Sequence, residues 1–272
     1  MHAASRDALE QSRSVLQSRL SANPAGGATG AKVGSELFSV VDLLEGDRSL
    51  RVAVADSSAP VEARQDLARS VLGWKIDDTT LEVVLAAVAS SWSNPRDLRE
   101  GLVTLGREAL LLSAKEQGQL GAVEDELFRL GRIVAGDAEF EQALSDRNAT
   151  AESKRALLGQ VLYGKVTAVT EALASQAVAR PEGMPADDID SLSRMAAEIE
   201  GQSVAVVTSA SELTQEQQDA LSRKLAGIYG REMTVHVEVD PAVIGGVVVR
   251  VGDEIIDGSV AGRLAAVRRA LP

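Results

Sequence analysis

"ELFSVVDLLEGD", residues 36 to 47, and "ELFRLGRIVAGD", residues 126 to 137, begin and end alike. The offset of 90 residues, from Glu36 to Glu126, then holds without a gap: Asp56 falls on Asp146, Glu62 on Glu152, Leu67 on Leu157, Val71-Leu72 on Val161-Leu162, and Ala87-Val88-Ala89 on Ala177-Val178-Ala179. Seventeen of the 55 aligned positions between 36 and 90 are identical, more than shared composition supplies. Arg6-Asp7 on Arg96-Asp97 and Pro95 on Pro185 obey the same offset, so the repeated unit is a whole bundle and not one shared helix. A period this long exceeds a single helical hairpin and implies two tandem domains.

Helix signals fall in register in both copies. Asp47 and Asp137 are placed to cap short helices running to 55 and 145, and Pro60 or Thr150, followed by Glu62 or Glu152, opens the next. That helix carries Leu67, Val71 and Leu72, or Leu157, Val161 and Leu162, at three- and four-residue spacings. A further helix starts near Asp77 to Thr79 and runs to about Trp92, with its twin from about Val166 to Arg180, giving four or five helices per unit. The copies differ after the first helix. "SANPAGGATGAKVG", residues 21 to 34, reads as a flexible loop because proline and glycine break helices, whereas "GREALLLSAKEQGQL" stays helical to about Gln117.

From Ser203 the texture changes. "SVAVVTS" reads as a strand, Thr214 to Gln217 as a capping box opening a helix with Leu221, Leu225 and Ile228 on one face, and "MTVHVEV" alternates, placing His236 among polar neighbours on a solvated face. Gly252-Asp253 suits a two-residue hairpin that pairs Val251 with Glu254, Arg250 with Ile255, Val249 with Ile256 and Val248 with Asp257. The fold class is mostly α with a small α/β C-terminal domain: helical bundles over 1–94 and 95–202, then a mixed sheet with a hairpin and a final helix over 203–272.

Composition narrows the function. A net charge of −12 and a pI near 4.8 disfavour nucleic acid and anionic lipid, which reward clustered lysine and arginine, and favour protein partners. Without cysteine there are no disulfides, thiolate nucleophiles or cysteine-ligated metals. No window approaches the roughly 18–20 apolar residues of a membrane span, and residues 1 to 30 have no basic start followed by an apolar core, so direct membrane insertion is not expected.

One cluster raises the question of catalysis: Asp253, Glu254 and Asp257 lie within five positions. Each has a structural role available, at the hairpin turn or, for Asp257, diagonally across from Arg250, and either Asp257 or Ser259 is placed to cap a helix carrying Val260, Leu264, Val267 and Leu271. Catalysis needs a second converging group, and the histidine nearest in sequence, His236, belongs to another strand. His2 is terminal, which leaves no histidine pair for a metal. "GGATGAKVG" lacks phosphate-loop spacing, and Gly245-Gly246 marks a bend or close backbone approach, not a dinucleotide fingerprint. Arg263, Arg268 and Arg269 suit the carboxyl end of the last helix.

"VDPAVIGGVVVRVGDEIIDGSVAGRL", residues 239 to 264, resembles the C-terminal signature of the delta subunit of rotary F-type ATP synthases, the family of the mitochondrial oligomycin-sensitivity-conferring protein. The residues that carry the likeness are Asp240, Gly245-Gly246, Arg250, Gly252-Asp253, Ile256-Asp257-Gly258-Ser259 and Gly262-Arg263-Leu264. Upstream, Gly106 to Leu111 fits the family's opening helix at Ala109 and Leu111, with Gly106 standing where the family has tyrosine; "EDELFRLGRIV", "FEQALSD" and Lys154 suit its second to fourth helices. The resemblance covers about residues 96 to 272, and the duplicated bundle is similar to the longer actinobacterial forms.

The resemblance implies a non-catalytic stator subunit without cofactor or metal. It would be one copy in a hetero-oligomer, peripheral on the cytoplasmic face of the bacterial plasma membrane, joining N-terminal helices of alpha subunits to the C-terminal end of subunit b. A helix-in-groove mode suits that role. The groove is expected between the helix with Leu105, Ala109, Leu110 and Leu112 and the helix with Val166, Val169 and Leu173, although core-filling has the same periodicity. The docking face for subunit b is expected at Leu264, Val267, Arg268 and Leu271. A metal-dependent enzyme built on the three carboxylates and a generic helical adaptor are the alternatives.

Overall fold

The computed structural model describes residues 3–22, 26–201, 203–229, 233–241, 243, 245–251 and 254–260, in two compact units, Met1–Leu192 and Ser193–Pro272. In the first unit the sequence repeat is a repeat of helices. α1 (Ala3–Ser21), α2 (Gly26–Gly46), α3 (Arg48–Ala55), α4 (Val61–Leu72) and α5 (Asp78–Ala89) lead to α6 (Pro95–Glu116). α7 (Leu120–Gly136), α8 (Ala138–Ser145), α9 (Ala151–Leu162) and α10 (Ala168–Ala179) follow, and α11 (Pro185–Glu200) begins in the first unit and ends in the second. Shifting the bounds of α3, α4 and α5 by 90 residues gives those of α8, α9 and α10 at both ends. α6 occupies the place of α1 in the second copy and, since Pro95 matches Pro185, the place of α11 in the first. Each bundle therefore has six helices among the described residues, with α6 common to both.

α6 is suited to that double duty because it is apolar on more than one side. Buried residues include Leu98, Leu102, Leu105, Ala109, Leu111 and Ala114, where a helix covering a single core would show one stripe. Leu98, Leu102, Val103, Leu105 and Ala109 join the core that holds Leu16, Leu37, Val41, Val84 and Val88 of the first copy. At 22 residues α6 is about 33 Å long, a continuous rod through both bundles.

The glycine-rich stretch expected to be a loop is helical from Gly26 onward, residues 23–25 lying outside the description. Its glycines give α2 a smooth face for close approach to α6. A Cβ on Gly30 would stand 2.9 Å from Ala109 O, and one on Gly34 2.8 Å from Leu110 Cγ and 2.9 Å from Gly106 O. Ser113 Oγ donates to Gly27 O at 2.6 Å across the same contact. Local propensity disfavours such a helix by roughly 1 kcal/mol per glycine, and tertiary packing overrides it.

Helix starts follow the caps read from sequence. Asp47 accepts the N–H of Leu50 at 3.0 Å, Asp137 those of Glu139 and Phe140 at 3.1 and 3.0 Å, and Thr150 that of Ser153 at 3.1 Å. The donors of Ser49 and Leu50 hold the Asp47 carboxyl below its ordinary pKa. A carboxylate staple is also duplicated. Glu36 accepts from the Asp77 N–H at 3.0 Å and Thr80 Oγ1 at 2.5 Å; Glu126, one repeat on, accepts from the Thr167 N–H and Oγ1, both at 2.9 Å, and Thr170 Oγ1 at 2.6 Å. Each staple ties the second helix of its bundle to the amino end of the fifth, where a negative charge also meets the helix dipole.

The second unit is a four-stranded sheet of order β2-β1-β3-β4, formed by β1 (Ser203–Ser209), β2 (Met233–Val239), β3 (Val247–Val251) and β4 (Glu254–Asp257). α12 (Gln215–Tyr229) connects the parallel pair β1 and β2. Thr214 and Gln217 form the reciprocal capping box: the Thr214 N–H donates to Gln217 Oε1 at 2.9 Å and the Gln217 N–H to Thr214 Oγ1 at 3.3 Å. The β3–β4 hairpin has the register read from sequence, Val251 opposite Glu254 through Val248 opposite Asp257. Ala205, Val207, Leu225, Met233, Val249 and Val251 make the core. Two expectations change. Ile228 is 68% exposed, not on the buried stripe of α12, and His236 is 4% exposed, not solvated. Strand alternation reports a strand's own two faces but not what covers the second one.

Candidate partner-binding surfaces

The structure brings Leu105, Ala109 and Leu110 of α6 into the same unit as Val169 and Leu173 of α10, but in its interior. Leu105, Ala109 and Leu173 are fully enclosed, Leu110 and Val169 are buried, Leu112 packs half-buried against the first copy's core, and Val166 is half-buried just before α10. One side of α6 is taken by α2, through the glycine face described above. A foreign helix would reach Ala109 or Leu110 from that side only if α2 moved away. Gly106 is explained by the same contact: a Cβ there would stand 2.6 Å from Phe38 Cε1, so a ring from α2 fills space next to the position where the resembled family has its tyrosine.

Charge reinforces the junction between copies. Arg180, at the carboxyl end of α10, pairs with Asp42 and with Glu45 of α2, the latter at 3.3 Å, and Arg99 of α6 reaches Glu45 at 3.0 Å. Arg13 of α1 is clamped by Glu108 of α6 at 2.5 Å, and that carboxylate raises the pKa of the guanidinium above its ordinary value. Ser5 Oγ donates to the buried Asp97 at 2.5 Å. Arg64, buried, donates to Val88 O, Ala89 O and Ser90 O at 2.5, 3.3 and 3.2 Å, closing the carboxyl end of α5.

The acidic cluster of the second unit does not converge. Asp253 and Gly252 lie outside the described residues. Glu254 accepts from the Tyr229 hydroxyl at 2.8 Å, and Asp257 accepts the Ser259 N–H at 2.9 Å, while the donors of Ser259 hold its carboxyl below the ordinary pKa. His236 sits on β2, three strand spacings or about 14 Å from β4 across the sheet. No group of three histidine, aspartate or glutamate side chains able to hold a metal occurs among the described residues. Asp257 has Ser259 as its partner, with Arg250 exposed on the neighbouring strand.

Gly245 and Gly246 adopt φ of 64° and 81°, and a Cβ on Gly246 would collide with Gly258 O, so the pair makes the close approach entering β3. Leu264, Val267, Arg268 and Leu271 lie outside the described residues. Two exposed side chains escaped the sequence reading, Trp74 and Tyr163. The signal available for them was an aromatic near the same repeat position in a chain poor in aromatics.

Comparison with known proteins is consistent along the whole chain. The family model described as ATP synthase delta (OSCP) subunit matches residues 108–271. A protein named ATP synthase subunit delta from Corynebacterium diphtheriae is 54% identical over 272 residues, covering 100% of both chains. Those of Rhodococcus opacus and Corynebacterium glutamicum strain R are 55% and 54% identical, covering 100% and 98% of this chain and 99% and 98% of their own.

Proposed function

The chain belongs to the ATP synthase delta (OSCP) subunit family, and from that premise we infer that it joins N-terminal helices of alpha subunits in the catalytic head to the C-terminal end of subunit b. It is a non-catalytic subunit of the peripheral stalk of ATP synthase. It is a peripheral part of a membrane complex, and none of its described helices is long and apolar enough to cross a membrane. On our reading it works on the cytoplasmic face. The observation that carries the reading is identity above 50% through both helical copies and the α/β unit together.

A stator must hold against torque, so stiffness and slow release matter more than chemistry. The shared helix α6 supplies stiffness, because neither bundle can turn about the junction without bending a rod packed on both sides. Slow release follows from helix-in-groove docking, in which desolvated apolar contacts break rarely. Leu105, Ala109, Leu110 and Leu112 then form the packed floor of the alpha-binding bundle, with Val166, Val169 and Leu173 lining its α10 side. Leu264, Val267, Arg268 and Leu271 are assigned to subunit b. On this reading the two bundles, joined through α6, serve the head, and the α/β unit serves the stalk.

Co-purification tests this. The full chain should retain a peptide of the alpha N-terminus and a peptide of the subunit b C-terminus together, and Leu264→Glu with Leu271→Glu should release only the second. Retention of neither peptide would sink the reading.

A further inference from the structure

Two aromatic side chains stand out from the first unit near the same place in each copy. Trp74 is 77% exposed and Tyr163 83%, the highest values among the exposed large hydrophobic residues described, in a chain with two tryptophans, two tyrosines and three phenylalanines. Trp74 lies in the turn between α4 and α5, Tyr163 in the turn between α9 and α10. Trp92 shows how the fold treats an indole it uses internally: it is buried and donates Nε1–H to Ala87 O at 2.7 Å. Among the described residues the Trp74 indole and the Tyr163 hydroxyl make no hydrogen bond. So exposed, neither ring gains appreciably from burial in its own bundle.

The two turns share their frame but not their order. The Lys75 N–H donates to Leu72 O at 2.8 Å, and the Lys165 N–H to Leu162 O at 2.9 Å. Between these anchors the residues are exchanged, Gly73-Trp74 against Tyr163-Gly164. Gly164 has φ 68°, which strains an aromatic residue, and a Cβ at Gly73 would meet Arg69 O at 2.7 Å. Each turn thus reserves a different position for glycine, and each places an aromatic at the other. Inheritance of one fixed position does not account for that pattern; a common demand on the surface does.

Charge and duplication describe the complement. Lys75 Nζ lies 4.9 Å from the centre of the Trp74 ring, and Lys165 follows Tyr163 by two residues, so each turn carries a lysine beside its aromatic in sequence, in a chain of net charge −12. The matching surface is an apolar socket rimmed by carboxylates, and two tips call for two such sockets. We propose that Trp74 and Tyr163 are paired anchors, each seating in an acid-rimmed apolar socket on a subunit that the catalytic head presents in more than one copy. The proposal rests on the stator reading above and adds to its groove a second contact of each bundle with the head. Exposed Trp and Tyr with little contact in their own chain are the side chains that most often dominate an interface.

Hydroxyl-radical footprinting with mass spectrometry tests it, on the full chain alone and bound to the isolated head. Oxidation of Trp74 and Tyr163 should fall severalfold on binding, with Trp92 low in both states. Replacing both (Trp74→Ala, Tyr163→Ala) should leave the melting temperature unchanged and weaken binding to the head about tenfold or more, each single change doing less. If either residue oxidises in the bound chain at its free-chain rate, or the double variant binds unimpaired, the paired anchors are wrong while the stator reading stands. Failure of the unaltered chain to bind the head overturns both.

Discussion

Gly34 shows how one missing methyl sets the distance between two helices. Its Cβ position lies 2.8 Å from a side-chain carbon of Leu110 and 2.9 Å from the carbonyl oxygen of Gly106. The first neighbour can turn aside; the second is backbone and cannot. Gly34→Ala gains helix propensity of roughly 1 kcal/mol, but overpacking against an immobile carbonyl costs about 1–3 kcal/mol, so the variant should be less stable in urea titration. Gly121→Ala is the opposite case, because no atom lies within 4 Å of its Cβ position in α7. That change should stabilise by roughly 0.5 kcal/mol. Equal stability of the two variants would show that α2 does not lean on α6 as described. The same glycines explain why sequence misread this region: propensity is a local quantity, and the reason for glycine at positions 30 and 34 is on a helix 72 to 79 residues away. His236 was misread for a related cause, since alternation with polar neighbours carries no information about what lies over a strand's second face.

Where the deciding interaction is local, the elements were legible. The hairpin register followed from Gly252-Asp253 and the alternation around it, and the capping box of α12 from four consecutive residues. Helices α3 to α5 and α8 to α10 were legible because the repeat doubled every cap signal. The staple from Glu36 and Glu126 was not, because it joins residues 41 and 44 positions apart. It makes its own prediction. In Glu126→Ala the Thr167 N–H and the hydroxyls of Thr167 and Thr170 lose a charged acceptor, and hydrogen bonds to charged groups contribute about 1.5–3 kcal/mol. Amide exchange should quicken first at Thr167 to Glu171, the opening turn of α10, before it changes in α9. Uniform quickening through the unit would mean that the staple secures the whole bundle and not one helix end.

For the whole molecule, the question is what the extra copy does. A division drawn from the repeat cuts between residues 94 and 95, but packing ignores that line: Leu98, Leu102, Leu105 and Ala109 of α6 sit in the core of the first copy. The family model begins inside α6, at residue 108, while the actinobacterial relatives match through the first copy as well. If the first copy were an appendage, deleting residues 1–94 would leave a chain like the shorter members of the family. The packing leads to another outcome. Deletion uncovers three leucines of α6 that are fully enclosed in the intact chain, each worth about 1.5–3 kcal/mol when buried, and leaves Glu108 and Asp97 without Arg13 and Ser5. The 95–272 chain should unfold at lower urea, bind a hydrophobic dye and self-associate, and residues 1–94 added in trans should reverse all three. A monomeric fragment as stable as the parent would mean that α6 serves the second bundle alone, and the rod that stiffens the junction would then have no structural basis.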